Sequence, residues 1–194
     1  MKKLQEKYKE TVIPKMKKEE GYENSMAIPK IEKVIVNAGF GGKVQDETTN
    51  KKKEIISEIK RDISLITGQA PVINRAKKSV AAFEVRKGDP VGMMVTLRGE
   101  KMYSFLERLI HIALPRSKDF KGIDLGSFDQ NGNLNIAIEE QVAFPEVDPD
   151  ESKVDFSFQV TIVTTAESKE EGIKFLNLLG FPLKEEKEKK EENN

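Results

Sequence analysis

Arg75, Lys77, Lys78, Arg86 and Lys87 crowd the stretch from Asn74 to Gly88, opposed there by Glu84 alone. Cations held on a loop can neutralise phosphates and release condensed counterions. Contacts of that kind position a nucleic-acid backbone and read no base sequence. A solvated hairpin with ordinary surface lysines would carry the same residues. The loop's length and its Val80-Ala81-Ala82 tip favour the functional reading, because long loops in compact domains are usually functional or disordered.

Other groups offer less chemistry. Gly39-Phe40-Gly41-Gly42 has the flexibility of a phosphate-binding turn. It lacks the Gly-Lys-Ser/Thr continuation, and its spacing is wrong for a dinucleotide fingerprint, so it reads as a turn whose backbone could touch RNA. The lone histidine, His111, has no cysteine or second histidine with which to build a triad or a metal site. It reads as a structural or capping residue. Glu139 and Glu140 are adjacent, and neighbours on a strand point to opposite faces, which does not suit an acid/base pair. Asp148, Asp150 and Glu151 lack calcium-loop spacing and read as a solvated acidic loop. No catalytic group and no metal site is expected.

The elements that must position the basic stretch follow from periodicity. Leu4, Tyr8, Val12 and Met16 fall four apart and predict a helix over about 3–20, with a kink or break at Pro14 and a stop at Gly21. The β-branched run at Ile31–Val36 predicts a strand ending in the 37–42 turn. Ile55, Ile56, Ile59, Ile63 and Ile66 make one stripe of a helix over 45–66, closed by Gly68. A short strand is expected after Pro71. The basic stretch then ends in the turn Gly88-Asp89-Pro90, and Val91–Leu97 is the next strand. Met102, Phe105, Leu106, Leu109 and Ile110 predict a helix over 100–113, with Pro115 just beyond. Residues 116–132 read as irregular. Leu134, Ile136 and Ile138 alternate with polar residues and should face the core. Another strand is expected over 154–163. Ser168 with Glu171 is a capping box opening a helix to about Leu179, ended by Gly180 and Pro182. Mixed elements without strict alternation predict an α+β fold, with helices packed on a largely antiparallel sheet and the basic loop projecting between two strands. One domain is expected over 1–183, with 1–20 as an N-terminal helical segment. The tail at 184–194, made only of Lys, Glu and Asn, is expected to be disordered.

The 194 residues carry 33 Lys and Arg against 33 Asp and Glu. That neutrality hides a segregation. Residues 1–120 hold 25 cations against 16 anions, and 121–194 hold 8 against 17. A positive field can therefore form locally although the total cancels. Without cysteine, disulfides and thiolate metal sites are excluded. The start has no apolar segment behind its charges, unlike a secretory signal, and no run approaches a membrane span. A soluble cytoplasmic protein is the expectation.

The blocks PKIEKVIVNAGFG (29–41), LITGQAPVINRAKKSVAAFEVRKGDPVGMMVTLRGEKMYSFLERLI (65–110), LPRSKDFKGI (114–123), FDQNGNLNIAIEEQVAFPEVD (128–148) and VTIVTTA (160–166), in this order, closely resemble the bacterial form of large-subunit ribosomal protein five. The resemblance runs from about residue 3 to 183. It implies a structural constituent of the large ribosomal subunit, with no cofactor and no enzymatic activity. The implied place is the central protuberance, where the family binds 5S rRNA and helps attach it to the large-subunit rRNA. Implied partners also include the P-site tRNA, neighbouring central-protuberance proteins and a small-subunit head protein across the intersubunit bridge. The tRNA-facing loop corresponds to 74–88, with Arg75, Lys77, Lys78 and Ser79 as main contacts and Arg86 and Lys87 as lesser ones. The implied 5S rRNA residues are Asn37, Gln69 and Thr96, with Lys30, Lys33 and Arg98 as phosphate partners. Polar side chains at strand ends can hydrogen-bond ribose hydroxyls and base edges. Read without the resemblance, the same three would be a turn residue, a helix-end residue and an ordinary strand threonine.

The chain departs from the family pattern in its neutral total charge, in the Lys51-Lys52-Lys53 insertion, and in Val154-Asp155-Phe156-Ser157, where an Arg-Gly pair is expected. Two other classes compete: a protein-interaction module using the acidic second part, and a small enzyme. The first would use the basic loop for an acidic partner, and the second needs a pocket of ionisable groups.

Overall fold

The computed structural model describes residues 3–44, 47–118 and 120–184. The predicted charged tail beyond Lys184 lies outside them, as do Gln45 and Asp46 at the start of the second predicted helix. The strands form one five-stranded sheet. With β1 at Ile31–Gly39, β2 at Val72–Arg75, β3 at Pro90–Leu97, β4 at Leu134–Ile138 and β5 at Phe158–Thr164, its order is β2-β3-β1-β5-β4. The helices are α1 (Leu4–Glu20, with a π turn at Tyr8–Val12), the short α2 (Gly41–Val44), α3 (Thr49–Thr67), α4 (Gly99–Arg116, with a π turn at Leu109–Ala113) and α5 (Lys169–Leu179). This is the expected α+β fold with an antiparallel sheet. The chain forms two compact units: residues up to Lys33 with 118–136 and those from Thr161 on, and residues 34–117 with 137–160.

In the first unit, α1 runs through Pro14 without a break, one of the two outcomes expected there. A proline inside a helix lacks its N–H and its ring crowds the carbonyl four residues back. The π turn widens the helix just before it: the Ile13 N–H donates to the Tyr8 carbonyl, five residues back. The same device precedes Pro115, where the Leu114 N–H donates to the Leu109 carbonyl. So α4 continues to Arg116 rather than ending before the proline. Gly21 closes α1 in a left-handed conformation, φ 72°. Tyr8 meets Phe175 of α5 edge to face at 6.1 Å. Tyr22 donates to Glu171, and burial together with that carboxylate pushes its phenol pKa well above 10.0. Half of the capping box expected for α5 forms at Ser168, while the Glu171 carboxylate binds the N–H of Glu167, one residue before the cap, instead of that of Ser168. Ser168 Oγ accepts from the Glu171 N–H at 3.2 Å, while Glu171 Oε2 accepts from the Glu167 N–H at 2.7 Å.

In the second unit, α3 packs against β3 and α4. Ile59, Ile63 and Ile66 are fully buried, as are Phe105, Leu106 and Leu109 of α4. Burying each such side chain is worth about 1.5–3 kcal/mol. Phe105 stacks on Phe144 at 5.6 Å, and Phe144 reaches Phe158 at 5.9 Å.

The strand expected from Val154 begins only at Phe158, and a side chain explains the delay. Gln141, fully buried, donates from Nε2 to the Val154 carbonyl and to Ser152 Oγ, and its Oε1 accepts from the Phe156 N–H, each at 3.0 Å. These backbone groups are satisfied by an amide instead of a neighbouring strand. Ser152 in turn donates to the buried Asp62 of α3 at 2.7 Å, and Arg61 reaches the Glu151 carbonyl at 3.1 Å. Gln141→Ala would orphan the Phe156 N–H and the Val154 carbonyl. An unpaired buried polar group costs about 1–3 kcal/mol. Urea unfolding should therefore show a lower midpoint with the slope unchanged. An unchanged midpoint would mean that water replaces the amide.

Candidate nucleic-acid interface

The register of β1, β3 and β2 decides which side chains are available for binding. Val34 lies opposite Leu97, Val36 opposite Val95 and Ala38 opposite Met93. All six are buried. Residues directly opposite share a face and successive residues alternate. The intervening pairs therefore occupy the other face: Ile35 with Thr96, Asn37 with Met94, and Gly39 with Gly92. β2 extends two of these rows, setting Val72 opposite Met94 and Asn74 opposite Gly92. Asn37 is exposed, Val72 is 67% exposed and Met94 36%, while Ile35, Thr96 and Asn74 are half-buried. The result is a surface of mixed apolar and amide character across three strands. Gly92 keeps β1 and β3 close, since a Cβ there would stand 2.8 Å from the Ala38 carbonyl oxygen.

Thr67, Gly68 and Gln69, at the end of α3, border the same strands. Gly68 turns left-handed, φ 64°, and its N–H donates to Ser64. Thr67 Oγ1 donates to the Gln69 carbonyl at 3.0 Å, and Lys101 Nζ to the Gly68 carbonyl at 3.0 Å. So held, the exposed Gln69 places its Nε2 3.2 Å from the Thr96 carbonyl oxygen. The structure thus brings Gln69 and Thr96 together and sets Asn37 on the strand paired with β3. Arg98 is exposed just before α4. Lys30 and Lys33 belong to the first unit. Lys30 is exposed, its backbone bonded to Thr165, and Lys33 stands 3.6 Å from Glu32.

Residues 76–89 join β2 to β3 as a hydrogen-bonded hairpin rather than an irregular loop. The Ala76 N–H donates to Asp89 and the Gly88 N–H to Ala76, both at 2.9 Å. Val80 and Val85 form an antiparallel bridge around a 3₁₀ turn at Ala81–Phe83, and Glu84 turns left-handed, φ 49°. Side chains brace the rest. Arg75 donates to the Gly88 carbonyl at 2.9 Å, Ser79 Oγ accepts from the Lys87 N–H at 2.9 Å, and Asp89 accepts from the Arg86 N–H at 2.8 Å. Of the expected tRNA contacts, Arg75 and Ser79 are thus engaged in holding the hairpin. The Lys77, Lys78, Arg86 and Lys87 side chains lie exposed.

Sequence reasoning passed over Val72, Met94 and Asn74. Apolar residues in a strand default to the core, and only the alternation set by Met93 and Val95 could have turned Met94 outward. His111 lies exposed in the π turn of α4. Among the described residues, no group of His, Cys, Asp and Glu is placed to hold a metal, and no helix is long and apolar enough to cross a membrane.

Gly92→Ala would force β1 and β3 apart, and overpacking of this kind costs about 1–3 kcal/mol. Thermal unfolding should show the loss. Full stability of the variant would mean that the strands tolerate a wider spacing.

Comparison with known proteins agrees along nearly the whole length. A family model described as ribosomal protein L5 matches residues 24–86, and a second, described as the C-terminus of the same ribosomal protein family, matches residues 90–183. Among curated proteins, large ribosomal subunit protein uL5 of Halothermothrix orenii is 47% identical over 180 residues, which is 93% of this chain and 97% of that one. Its namesake from Thermobifida fusca is 46% identical over 183 residues, covering 94% and 93%. That of Dictyoglomus thermophilum is 46% identical over 181 residues, covering 93% and 98%.

Proposed function

This chain belongs to the ribosomal protein L5 family of the large ribosomal subunit, a family of ribosomal proteins and not of enzymes, and from that premise we propose that the open face of β2, β3 and β1 binds 5S rRNA. The observation that carries the reading is the row Asn37–Met94–Val72, where a carboxamide lies beside two exposed apolar side chains on a regular sheet. Unstacked bases of RNA pack on flat apolar surface and offer their edges to amides. Asn37 and the carboxamide of Gln69 read such edges or ribose hydroxyls, and Thr96 contributes a hydroxyl. Arg98, Lys30 and Lys33 meet phosphates. In this role the protein helps fasten 5S rRNA to the large-subunit rRNA in the central protuberance, beside neighbouring proteins there and a small-subunit head protein across the subunit interface.

The second part of the proposal assigns the 76–89 hairpin to the P-site tRNA. Lys77 and Lys78, with Arg86 and Lys87, neutralise backbone phosphates. Arg75 and Ser79 contribute by bracing the hairpin that carries them. Every tRNA must be accepted at one site, so contacts to phosphate and shape serve better than contacts to base edges.

The test is titration of the purified protein against 5S rRNA at several salt concentrations, with a non-cognate RNA of similar length as competitor. Asn37→Ala and Gln69→Ala should each weaken 5S rRNA binding by about 1 kcal/mol. Lys77→Ala and Lys78→Ala should leave that affinity alone while weakening tRNA binding. Each should reduce the salt slope of tRNA binding by about 1. Binding to 5S rRNA no tighter than to the competitor would overturn the first assignment. Unaltered tRNA affinity in the lysine variants would overturn the second.

A further inference from the structure

Between the hairpin and the turn after β1 lies a recess of about 620 Å³. Its volume is within the roughly 300–1,000 Å³ typical of small-ligand sites. Val80, Val85, Val91 and Gly42 line it together with Lys77 and Lys78. Among the described residues, neither lysine is held by a carboxylate. The hairpin's own backbone bonds already use Arg75, Ser79 and Asp89, which leaves the two ammoniums for an outside anion. Val80 is 43% exposed, which leaves its side chain accessible to an incoming ligand.

We propose that this recess receives one unstacked nucleobase of the tRNA that the hairpin meets, with Lys77 and Lys78 on the phosphates that flank it. The inference rests on the assignment of the hairpin to tRNA and adds a subsite to it. A nucleotide combines the features that the recess demands. Its base has broad faces that pack on methyl groups, and its phosphates supply two negative charges one residue apart along the strand. Cationic grooves that seat bases beside a tracked backbone are the general solution for unpaired nucleic acid. Here aliphatic walls take the place of an aromatic platform. A peptide with acidic side chains would satisfy the lysines and leave the methyl walls without a flat partner. The recess reads a base's presence rather than its identity, in keeping with a site that must accept every tRNA.

Gly42 supplies the means of testing it. A Cβ at Gly42 would meet nothing within 4 Å, and its φ is not positive. Gly42→Leu should therefore fill the recess without disturbing the fold. The full chain with isotope-labelled valine methyls is titrated with tRNA, with 5S rRNA, with a short oligouridylate and with the same strand carrying abasic residues. The expected result is that tRNA and oligouridylate shift the methyls of Val80, Val85 and Val91, while 5S rRNA and the abasic strand do not. Gly42→Leu should lower oligouridylate affinity about fivefold, the worth of roughly 1 kcal/mol of packing, and leave the abasic strand's affinity unchanged. Val80→Thr, which keeps shape and removes a methyl wall, should act in the same direction should Gly42→Leu prove unstable. Equal binding of base-bearing and abasic strands, or methyl shifts with 5S rRNA and none with tRNA, would overturn the proposal. If Lys77→Ala still weakened tRNA binding in that event, the hairpin's assignment would stand and only the recess would fall. If it did not, both would fall together.

Discussion

A β-strand can bury only every second side chain when helices cover one side of its sheet, and that alternation governs which side chains β1, β2 and β3 leave exposed. Val34, Val36 and Ala38 of β1 interleave with Asn37 and Ile35. Met93, Val95 and Leu97 of β3 interleave with Met94 and Thr96. A slip of one residue would exchange the two sets entirely. The packing of α3 on the buried side of β3 is therefore also what places Met94 and Thr96, and through their pairing Asn37, on the other side. Gly92, with no room for a Cβ, keeps the two strands in contact at the end of this surface. The end of α3 adds its part through Gly68, whose left-handed turn delivers Gln69 beside Thr96. Stability and the make-up of the exposed face draw on the same register.

The hairpin between β2 and β3 divides its polar residues between two tasks. Arg75, Ser79 and Asp89 satisfy backbone groups within it, and the Val80–Val85 bridge closes its tip. Lys77 and Lys78 remain exposed. A hairpin whose backbone bonds are met internally can hold such cations in place, and preorganisation of that kind lowers the ordering cost of binding any anionic partner. Charge segregation serves the same end. The cationic surplus lies in residues 1–120, where the sheet face and the hairpin are encoded, and the acidic surplus falls after them.

Much of the fold was legible because each element obeyed a single local rule. The stripe from Ile55 to Ile66, the Ser168 cap of α5, and the stops at Gly21, Gly68 and Gly180 all appear where the local pattern placed them. The departures came where a side chain or a neighbouring turn overrode the local rule. Pro14 and Pro115 do not break their helices, because a π turn ahead of each widens the backbone. Val154–Ser157 alternates like a strand, but Gln141 satisfies its backbone instead. Of the candidate site, Asn37, Gln69 and Thr96 entered by family resemblance, and the structure gives Gln69 and Thr96 their proximity. The structural work of Arg75 and Ser79 was invisible in sequence, since a cation or a hydroxyl in a basic loop looks the same whether it faces a ligand or a carbonyl. Val72 and Met94 were hidden by their own hydrophobicity.

The most direct measurement of the central claim is oxidative footprinting of the methionines, with and without saturating 5S rRNA. Met94 lies on β3, the strand between β1 and β2, at 36% exposure, whereas Met26, 81% exposed and part of none of the three strands, serves as an internal reference. Occupation of the sheet by RNA predicts a marked slowing of Met94 oxidation relative to Met26. An unchanged Met94 rate in a saturated complex would mean that 5S rRNA binds elsewhere, and that the mixed surface of β2, β3 and β1 serves another partner.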